Sequence, residues 1–533
     1  MGTVREATFD LFRRHGMTTV FGNPGSTELP MLADFPEDFR YVLGLQEAVA
    51  VGMADGFAQA SGTVGHVNLH TAPGLGNGMG AIFNAQANHT PLLVTAGQQA
   101  RELITLQANL TNRDAARVPH PLVKSSYEPP RAADVPLALA RAIHLADTPA
   151  RGPAFVSIPM DDWDAEAPAD TTAATVGRSV TAASGPDPDA MNALARRLEA
   201  ASNPVFVAGP DVDASDAWDV AVALVERQCL PAFATPAPGG GRLGFPEGHP
   251  NFRGILPPAI GPLSDTLKGR DLVLVVGSSV FPYYPNIPGE LLPAGAELVQ
   301  ITSDADEAAR APMGDAIVGD VKLALLHLLG AVGESSRDPG ESLPEPVPGE
   351  ETDPITGTAA MNALREAFPE DGIVVLEAPS STLALRNQLR ISRPGSYYFA
   401  AGGGLGFGLA AAVGVQLAQP GRRVICVVGE GSAQYAITAL WSAGAYATPL
   451  TVLVLRNSEY AILKWFSEIE GVTGVPGLDL PSLGCTTVAE GYGVRAREVT
   501  GGRDELVDAL RDAIEAEEPR LVETPVAPGM WLF

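Results

Sequence analysis

Cysteine, basic residues and long apolar runs are all scarce in this chain. Its 533 residues include three cysteines, Cys229, Cys426 and Cys485, widely separated. That spacing fits neither a disulfide framework nor a thiolate metal site. Cys426 lies inside the apolar run Val424-Ile425-Cys426-Val427-Val428 and reads as a core residue. Lys and Arg number 35 against 62 Asp and Glu, a net charge of −27. Nucleic acids and anionic membrane surfaces are both recognised through clustered cations, so neither is an expected partner. No stretch approaches the roughly 20 apolar residues of a membrane span. Met1 to Glu6 lacks the basic-then-apolar pattern of a leader. A cytoplasmic enzyme acting on a small molecule is the expectation. An acidic substrate would have to enter against the overall field, so any attraction must be local, as from a bound metal.

What is present is a globular α/β composition: 46% hydrophobic residues with 57 Gly and 46 Pro. The length predicts three domains. In the first, Val4, Ala7, Leu11 and Phe12 fall on one face of a helix over 4–15. Thr18 to Phe21 reads as a strand ending in the turn Gly22-Asn23-Pro24-Gly25-Ser26. Val67 to His70 and Pro91 to Ala96 read as further strands. Parallel α/β structure is therefore expected over 1–165. A polar Ala/Thr/Asp-rich linker is expected over 166–187. A central α/β domain follows over 188–332, marked by the strands 204–209 and 271–277. Gly333 to Pro354 is rich in Pro, Glu, Gly and Ser and reads as the clearest linker. A third α/β domain is expected over 355–533, with strands near 373–377, 423–428 and 450–455. It resembles the first in outline. The fold class is three parallel-sheet α/β domains.

Two segments at opposite ends of the chain carry chemistry. Glu47 sits in a helix-like apolar run, Gln46-Glu47-Ala48-Val49-Ala50-Val51. An acid in dry surroundings is suited to passing a proton near neutrality. Gly429-Glu430-Gly431-Ser432 follows an apolar strand directly. Its backbone N–H groups can face a phosphate, and Glu430 can supply the one carboxylate that magnesium commonly takes beside phosphate oxygens. Asn457 follows the next strand, so parallel pairing would bring it to the same sheet edge. Gly76-Asn77-Gly78-Met79-Gly80-Ala81 fits a dinucleotide fingerprint, but Leu92 to Gln99 lack the acid that should follow. Close helix–strand packing is the simpler reading of that run.

The chain resembles the thiamine-diphosphate-dependent 2-oxo acid decarboxylases, and within them the benzoylformate branch. The match runs over essentially the whole length. It is carried by Phe21-Gly22-Asn23-Pro24-Gly25-Ser26, Leu45-Gln46-Glu47-Ala48, Asn68-Leu69-His70, Thr95-Ala96-Gly97-Gln98-Gln99, Gly209-Pro210-Asp211-Val212-Asp213, Ala309 to Ala316, Gly395-Ser396-Tyr397-Tyr398-Phe399 and Gly403-Gly404-Leu405-Gly406-Phe407. The resemblance implies a pyrimidine-binding first domain, a central domain and a diphosphate-binding third domain. It implies four chains, a dimer of dimers, with active sites between chains. Glu47 would bond the cofactor's pyrimidine ring and drive its amino group to the imino form. Ser26 would hold the substrate carboxylate and His70 would transfer a proton. Pro24, Asn77, Ser380, Gly403, Leu405, Gly429, Gly431, Ser432 and Tyr435 would complete the cofactor site, with Leu405 as the wedge that bends the cofactor. Glu430, Asn457 and Glu459 would hold Mg2+. Phe399, Ile462, Leu463 and Phe466 would line the substrate pocket. The implied reaction is non-oxidative decarboxylation of an aromatic 2-oxo acid to an aldehyde. A carboligase forming 2-hydroxy ketones and a cofactor-binding homologue without turnover are the alternatives.

Three departures from the family pattern stand out. Glu430 replaces an Asp and Arg456 precedes Asn457 where two Asn are usual, so weakened metal binding is expected. Tyr284 stands where the branch has a second histidine; a phenol donates a hydrogen bond but carries protons poorly near pH 7, so it is expected to position substrate or replace the acid in part. Ile462 stands where the branch has Ala, which should shrink the substrate space. Ile462→Ala is therefore expected to raise kcat/KM for bulky 2-oxo acids relative to small ones. Unchanged selectivity across a substrate series would refute that role.

Overall fold

The computed structural model describes residues 2–236, 241–481 and 483–531. Its framework is three six-stranded sheets whose paired strands all run parallel. Many inner strands are short, fully buried apolar runs without alternation, as sheets covered on both faces require, while edge strands such as Arg495–Glu498 and Asp315–Val318 are largely exposed. Of the inner strands, Leu272–Val276 and Ile373–Glu377, for example, are buried at every position.

Across the first sheet the strands lie in the order Arg40–Leu43, Thr19–Gly22, Gly65–Leu69, Leu92–Gln98, Ala154–Pro159, Ser125–Tyr127. Across the third the order is Tyr397–Phe399, Ile373–Glu377, Val424–Gly429, Leu450–Arg456, Arg520–Pro525, Arg495–Glu498. Numbered within each domain, both read 2-1-3-4-6-5, so the outline resemblance expected from sequence extends to connectivity. The central sheet differs. Its order is Asp315–Val318, Glu297–Thr302, Leu272–Val276, Val205–Ala208, Ala232–Ala234, Phe252–Ile255, the arrangement of a doubly wound nucleotide fold. Topology alone assigns it no ligand.

The 166–187 segment is not the plain linker its composition suggested. A helix, Ala169–Gly177, packs against helices Val4–Arg14 and Val135–Asp147. Val176 lies on the first domain's core. Alanine's helix propensity and this small apolar foothold outweigh the polar composition. Residues 333–352 form no helix or strand, yet they are strapped down. The Arg337 guanidinium donates to the carbonyls of Leu198, Glu199, Ala201 and Gln228. The first and central domains meet at a buried ion cluster. His89 Nδ1 lies 3.3 Å from Asp211 and Nε2 3.7 Å from Asp304. Burial alone would lower the His89 pKa; Asp211, Glu307 and Asp304 overcome that and push it up to about 9.

The first and third domains join along two helices, Glu47–Ser61 and Gly408–Ala418. Gly408–Ala418 is apolar on nearly every side and is buried against its partner. The seam is made of small residues. A Cβ on Gly52 would lie 2.7 Å from the Ala410 Cβ; one on Gly56 would lie 2.2 Å from the Ala411 carbonyl oxygen; one on Gly414 would lie 1.9 Å from that of Met53. The Gln419 side chain closes the far end by donating to the Ala60 carbonyl at 2.7 Å. Gly56→Ala should therefore destabilise the protein by about 2–3 kcal/mol, since backbone cannot yield as a side chain end can. Gly76→Ala, where a Cβ meets nothing within 4 Å, should be neutral or stabilising by about 0.5–1 kcal/mol. Chemical denaturation of the two variants checks the pair, and equal midpoints would contradict the seam.

Candidate active site

The first constellation lies at the carboxyl ends of the strands Thr19–Gly22 and Gly65–Leu69, where open α/β sheets place ligands. Glu47 opens the helix Glu47–Ser61 and is 9% exposed. The Asn77 amide donates to its Oε2 at 3.1 Å, so Asn77 stands with the acid. Gly74 lets the next helix pass close by: a Cβ there would lie 3.1 Å from Glu47 Oε1 and 3.2 Å from the His70 Cβ.

His70 ends its strand and precedes the helix Thr71–Ala87. The turn is forced, because Thr71 has φ +36°, a conformation costly for a β-branched residue. The ring is gripped by a carboxylate that the sequence motifs do not single out. Glu28, 1% exposed, places Oε2 2.8 Å from His70 Nδ1. The same oxygen accepts from the Gly25 N–H at 2.8 Å, and Oε1 accepts from the Gly97 N–H at 2.9 Å and the Thr27 hydroxyl at 2.7 Å. With Nδ1–H donating to Glu28, the lone pair at Nε2 is left for the site. Gly25 is a steric necessity, as a Cβ there would fall 2.1 Å from His70 Nδ1. Ser26 is exposed, as is Pro24. The hydroxyl that touches His70 is Thr27, 3.2 Å from Nδ1.

The second constellation lies at the carboxyl edge of the third sheet. Gly429 and Leu455 are paired residues on neighbouring strands, which brings Glu430 beside the Asn457 loop as expected. Glu430 is 2% exposed and its Oε1 accepts from the Ser458 N–H at 2.5 Å. Burial pushes its pKa up; its own backbone N–H and those of Ser458 and Asn457 hold it back, with a lesser pull from Arg456. Ser458 has φ +60°, so this loop too is held in a conformation non-glycine residues avoid. The Asn457 side chain accepts from the Glu459 N–H at 3.2 Å. The Glu459 carboxylate is engaged elsewhere: Lys464 donates to Oε2 at 2.5 Å and the Gly529 N–H to Oε1 at 2.9 Å. These bonds engage the carboxylate of Glu459, the residue expected as the third metal ligand beside Glu430 and Asn457. Lys464, one turn into the following helix, is the competitor for it.

A buried carboxylate bonded to backbone N–H groups fits a hard divalent cation. The surrounding cradle fits a bulky anionic group. A Cβ on Gly403 (φ +71°) would meet nothing within 4 Å, and one on Gly429 would meet only Ser432 Oγ, at 3.7 Å. Gly431 is closed on its other side by Tyr460 and Leu480. Tyr435 is largely exposed and packs on Gly406. Ser380 lies in the 3-10 turn Pro379–Ser381, which packs against the helix Ala461–Glu470.

That helix carries Ile462, Leu463 and Phe466, all partly or largely exposed, and Phe399 ends a neighbouring strand. The Tyr284 ring, from the central domain, packs on Phe466 with centroids 4.6 Å apart. Among the described residues, no hydrogen bond or ion pair joins the Glu47–His70 set to the Glu430–Asn457 set.

Comparison with known proteins fits this geometry. The family signatures of thiamine pyrophosphate enzymes match at residues 2–116 (N-terminal TPP binding domain), 191–328 (central domain) and 379–524 (C-terminal TPP binding domain). Benzoylformate decarboxylase of Pseudomonas aeruginosa is 51% identical over 526 residues, covering 98% of this chain and 99% of that one. The chain belongs to the thiamine-diphosphate-dependent 2-oxo acid decarboxylase family. Among solved structures, the thiamine diphosphate-dependent 4-hydroxybenzoylformate decarboxylase of Rhodococcus jostii RHA1 is 45% identical, with a TM-score of 0.96 over 100% of both chains. Benzoylformate decarboxylase of Polynucleobacter necessarius is 39% identical, with a TM-score of 0.97 over 100% of both.

Within this decarboxylase, Glu28 is expected to act through His70. Glu28→Gln should lower kcat by at least about tenfold with little change in KM and shift the pH dependence of kcat, as loss of an imidazole's orienting carboxylate does. A pH–rate profile matching the wild type would show the contact to be structural only.

Proposed function

We propose that this decarboxylase acts on an aromatic 2-oxo acid of the benzoylformate type and releases the aldehyde and CO2. The observation that carries the reading is the pairing of two built sets: a proton-handling set of Glu47, His70 and Glu28, and a cation and anion cradle of Glu430, Asn457, Gly403 and Gly429. When bound, thiamine diphosphate supplies the electron sink that carboxylate loss requires. Glu430 and Asn457 would hold Mg2+, and Gly429, Gly431 and Ser432 would surround the diphosphate. Glu47, oriented by Asn77, would exchange a proton with the pyrimidine ring. Leu405 would fill the space under the bent cofactor. His70, held at Nδ1 by Glu28, would take up a proton at Nε2 and then deliver it to form the aldehyde. Ser26 would bond the substrate carboxylate, and Pro24, Ser380 and Tyr435 would line the approach.

The substrate's aryl group would be received by Phe399, Ile462, Leu463 and Phe466, with the Tyr284 ring packed on Phe466. We place the working site between two copies of the chain in a homotetramer. This placement rests on the family resemblance alone. A cytoplasmic setting is consistent with three cysteines that are all free. No helix among the described residues is long and apolar enough to cross a membrane.

The test is chromatography of substrate and products after incubation with thiamine diphosphate, benzoylformate and Mg2+, with and without the metal. Benzaldehyde as the main product, with metal-dependent turnover, is expected. 2-Hydroxy ketones with little free aldehyde would favour carboligation, and no turnover of any aryl 2-oxo acid despite cofactor binding would overturn the substrate assignment.

A further inference from the structure

A further buried carboxylate stands behind the cofactor turn. Glu377 ends the strand Ile373–Glu377 and is 3% exposed. Among the described residues it forms no ion pair. Its oxygens instead accept three consecutive backbone N–H groups: Gly406 at 2.6 Å and Phe407 at 3.1 Å on Oε1, and Gly408 at 2.9 Å on Oε2. These are donors at the start of the helix Gly408–Ala418, the ones a helix leaves without intrahelical partners. The contact is tight, since a Cβ on Gly408 would lie 2.7 Å from the Glu377 Cβ. The other side of the turn is held by Asn84, whose side chain donates to the Gly404 carbonyl at 2.8 Å and accepts its N–H at 3.1 Å. Gly403 and Leu405 flank the residue that Asn84 grips, and Gly403 (φ +71°) and Gly406 (φ +101°) give the turn a shape that other residues would resist.

We propose that Glu377 is a positioning residue for thiamine diphosphate: as the carboxylate, it fixes the Gly403–Leu405 turn against which the cofactor bends. This rests on the functional reading above, which assigns Gly403 and Leu405 to the cofactor. A carboxylate accepts all three N–H groups at full strength; in a neutral acid the hydroxyl oxygen accepts only weakly, so at least one of the three is weakened. The form that shapes the turn is therefore the anion.

Burial pushes the Glu377 carboxyl up to about 7, against the pull of the Gly408, Gly406 and Phe407 N–H groups. The titratable and charged groups on the elements around it are Tyr397, Tyr398, Cys426, Tyr435 and Arg386. Burial raises Cys426 well above its usual value, Tyr397 is pushed up to about 12, burial also raises Tyr398, and Arg386 is bound to Glu247 at 2.7 Å. Folding raises the Glu377 pKa from 4.5 to about 7. Its contribution to stability is thus fully present below about 4.5 and is lost as pH rises through about 7. Cofactor affinity should run the other way and strengthen as pH rises through about 7. Opposite slopes separate positioning from a merely structural role.

The experiment measures thiamine diphosphate Kd by calorimetry at saturating Mg2+, about one pH unit either side of 7, for the wild type, Glu377→Gln and Glu377→Asp, with circular dichroism to check folding. The wild type should bind several-fold more tightly on the alkaline side. Glu377→Gln should bind about tenfold more weakly, the loss of one charge-assisted hydrogen bond, and show a flattened pH dependence. Glu377→Asp should restore the slope in part. If Glu377→Gln does not fold, hydrogen-exchange protection of the Gly406–Gly408 amides in the wild type, taken relative to the intrinsic rate at each pH, decides: lower protection below pH 7 supports the inference, and pH-independent protection overturns it. A folded Glu377→Gln with wild-type affinity and slope also overturns it. Failure of the wild type to bind thiamine diphosphate at all would overturn the functional reading and this inference with it.

Discussion

The close approach of two helices, Glu47–Ser61 and Gly408–Ala418, is the constraint on which the site depends. One begins with the acid and the other with the turn that follows Leu405. Gly52, Gly56 and Gly414 remove the side chains that would hold the helices apart, so backbone meets backbone. Van der Waals contact at that range falls off within an ångström. A shift of one helix would carry the 403–408 turn away from the first domain, where Asn84 holds Gly404. The seam is thus a packing device that fixes the relative placement of two pieces of chemistry.

Around the seam the protein solves one electrostatic problem three times. Glu28, Glu377 and Glu430 are each almost fully buried. Each accepts backbone N–H groups: Gly25 and Gly97 for Glu28, which also holds His70 and the Thr27 hydroxyl, Gly406 to Gly408 for Glu377, and Ser458 for Glu430. A cationic side chain would neutralise such a group, whereas backbone donors leave its charge available and fix its direction. The contrast is Glu247, paired with Arg386 where both side chains are 2% exposed. That pair links the central and third domains, and its charge is spent. The strained residues Thr71 and Ser458 lie at the two sites, one beside His70 and one between Asn457 and Glu459. Strain at such positions persists only where surrounding contacts over-determine the backbone.

The sequence made legible what is local. The strand Val424–Gly429, the Glu430 turn and Asn457 on the next strand follow from an apolar run ending in Gly and from parallel pairing. Glu47 at a helix start and His70 at a strand end were legible for the same reason. Glu28 and Glu377 were not, because their roles come from partners far along the chain: His70 lies 42 residues from Glu28, and Gly406 lies 29 from Glu377. The available signal was position, an acid at the carboxyl end of a strand or in the turn after it. The helix Ala169–Gly177 was hidden by polar composition, since its burial is supplied by helices of the first domain. Glu459 was expected as a ligand from the family resemblance, and the bonds of its carboxylate to Lys464 and the Gly529 N–H were not legible in the sequence.

On the proposed function, substrate choice would be built across domains. Phe466 belongs to the third domain's helix, Tyr284 to a central-domain loop, and their rings are in contact. In place of an imidazole the central domain offers a phenol edge against an aromatic wall, which favours a flat, apolar substituent by packing and lends little to proton transfer. On that reading His70 would be the imidazole of the site, and its heavily secured orientation fits such a role. Glu28 bonds it, Thr27 lies beside it, Gly25 makes room for it and the strained Thr71 turns the backbone to aim it. A site with one proton carrier in place of two gains more from fixing that carrier's geometry, because misplacement by an ångström costs orders of magnitude in rate. The change at 284 and the rigidity around His70 are, on this argument, two parts of one arrangement.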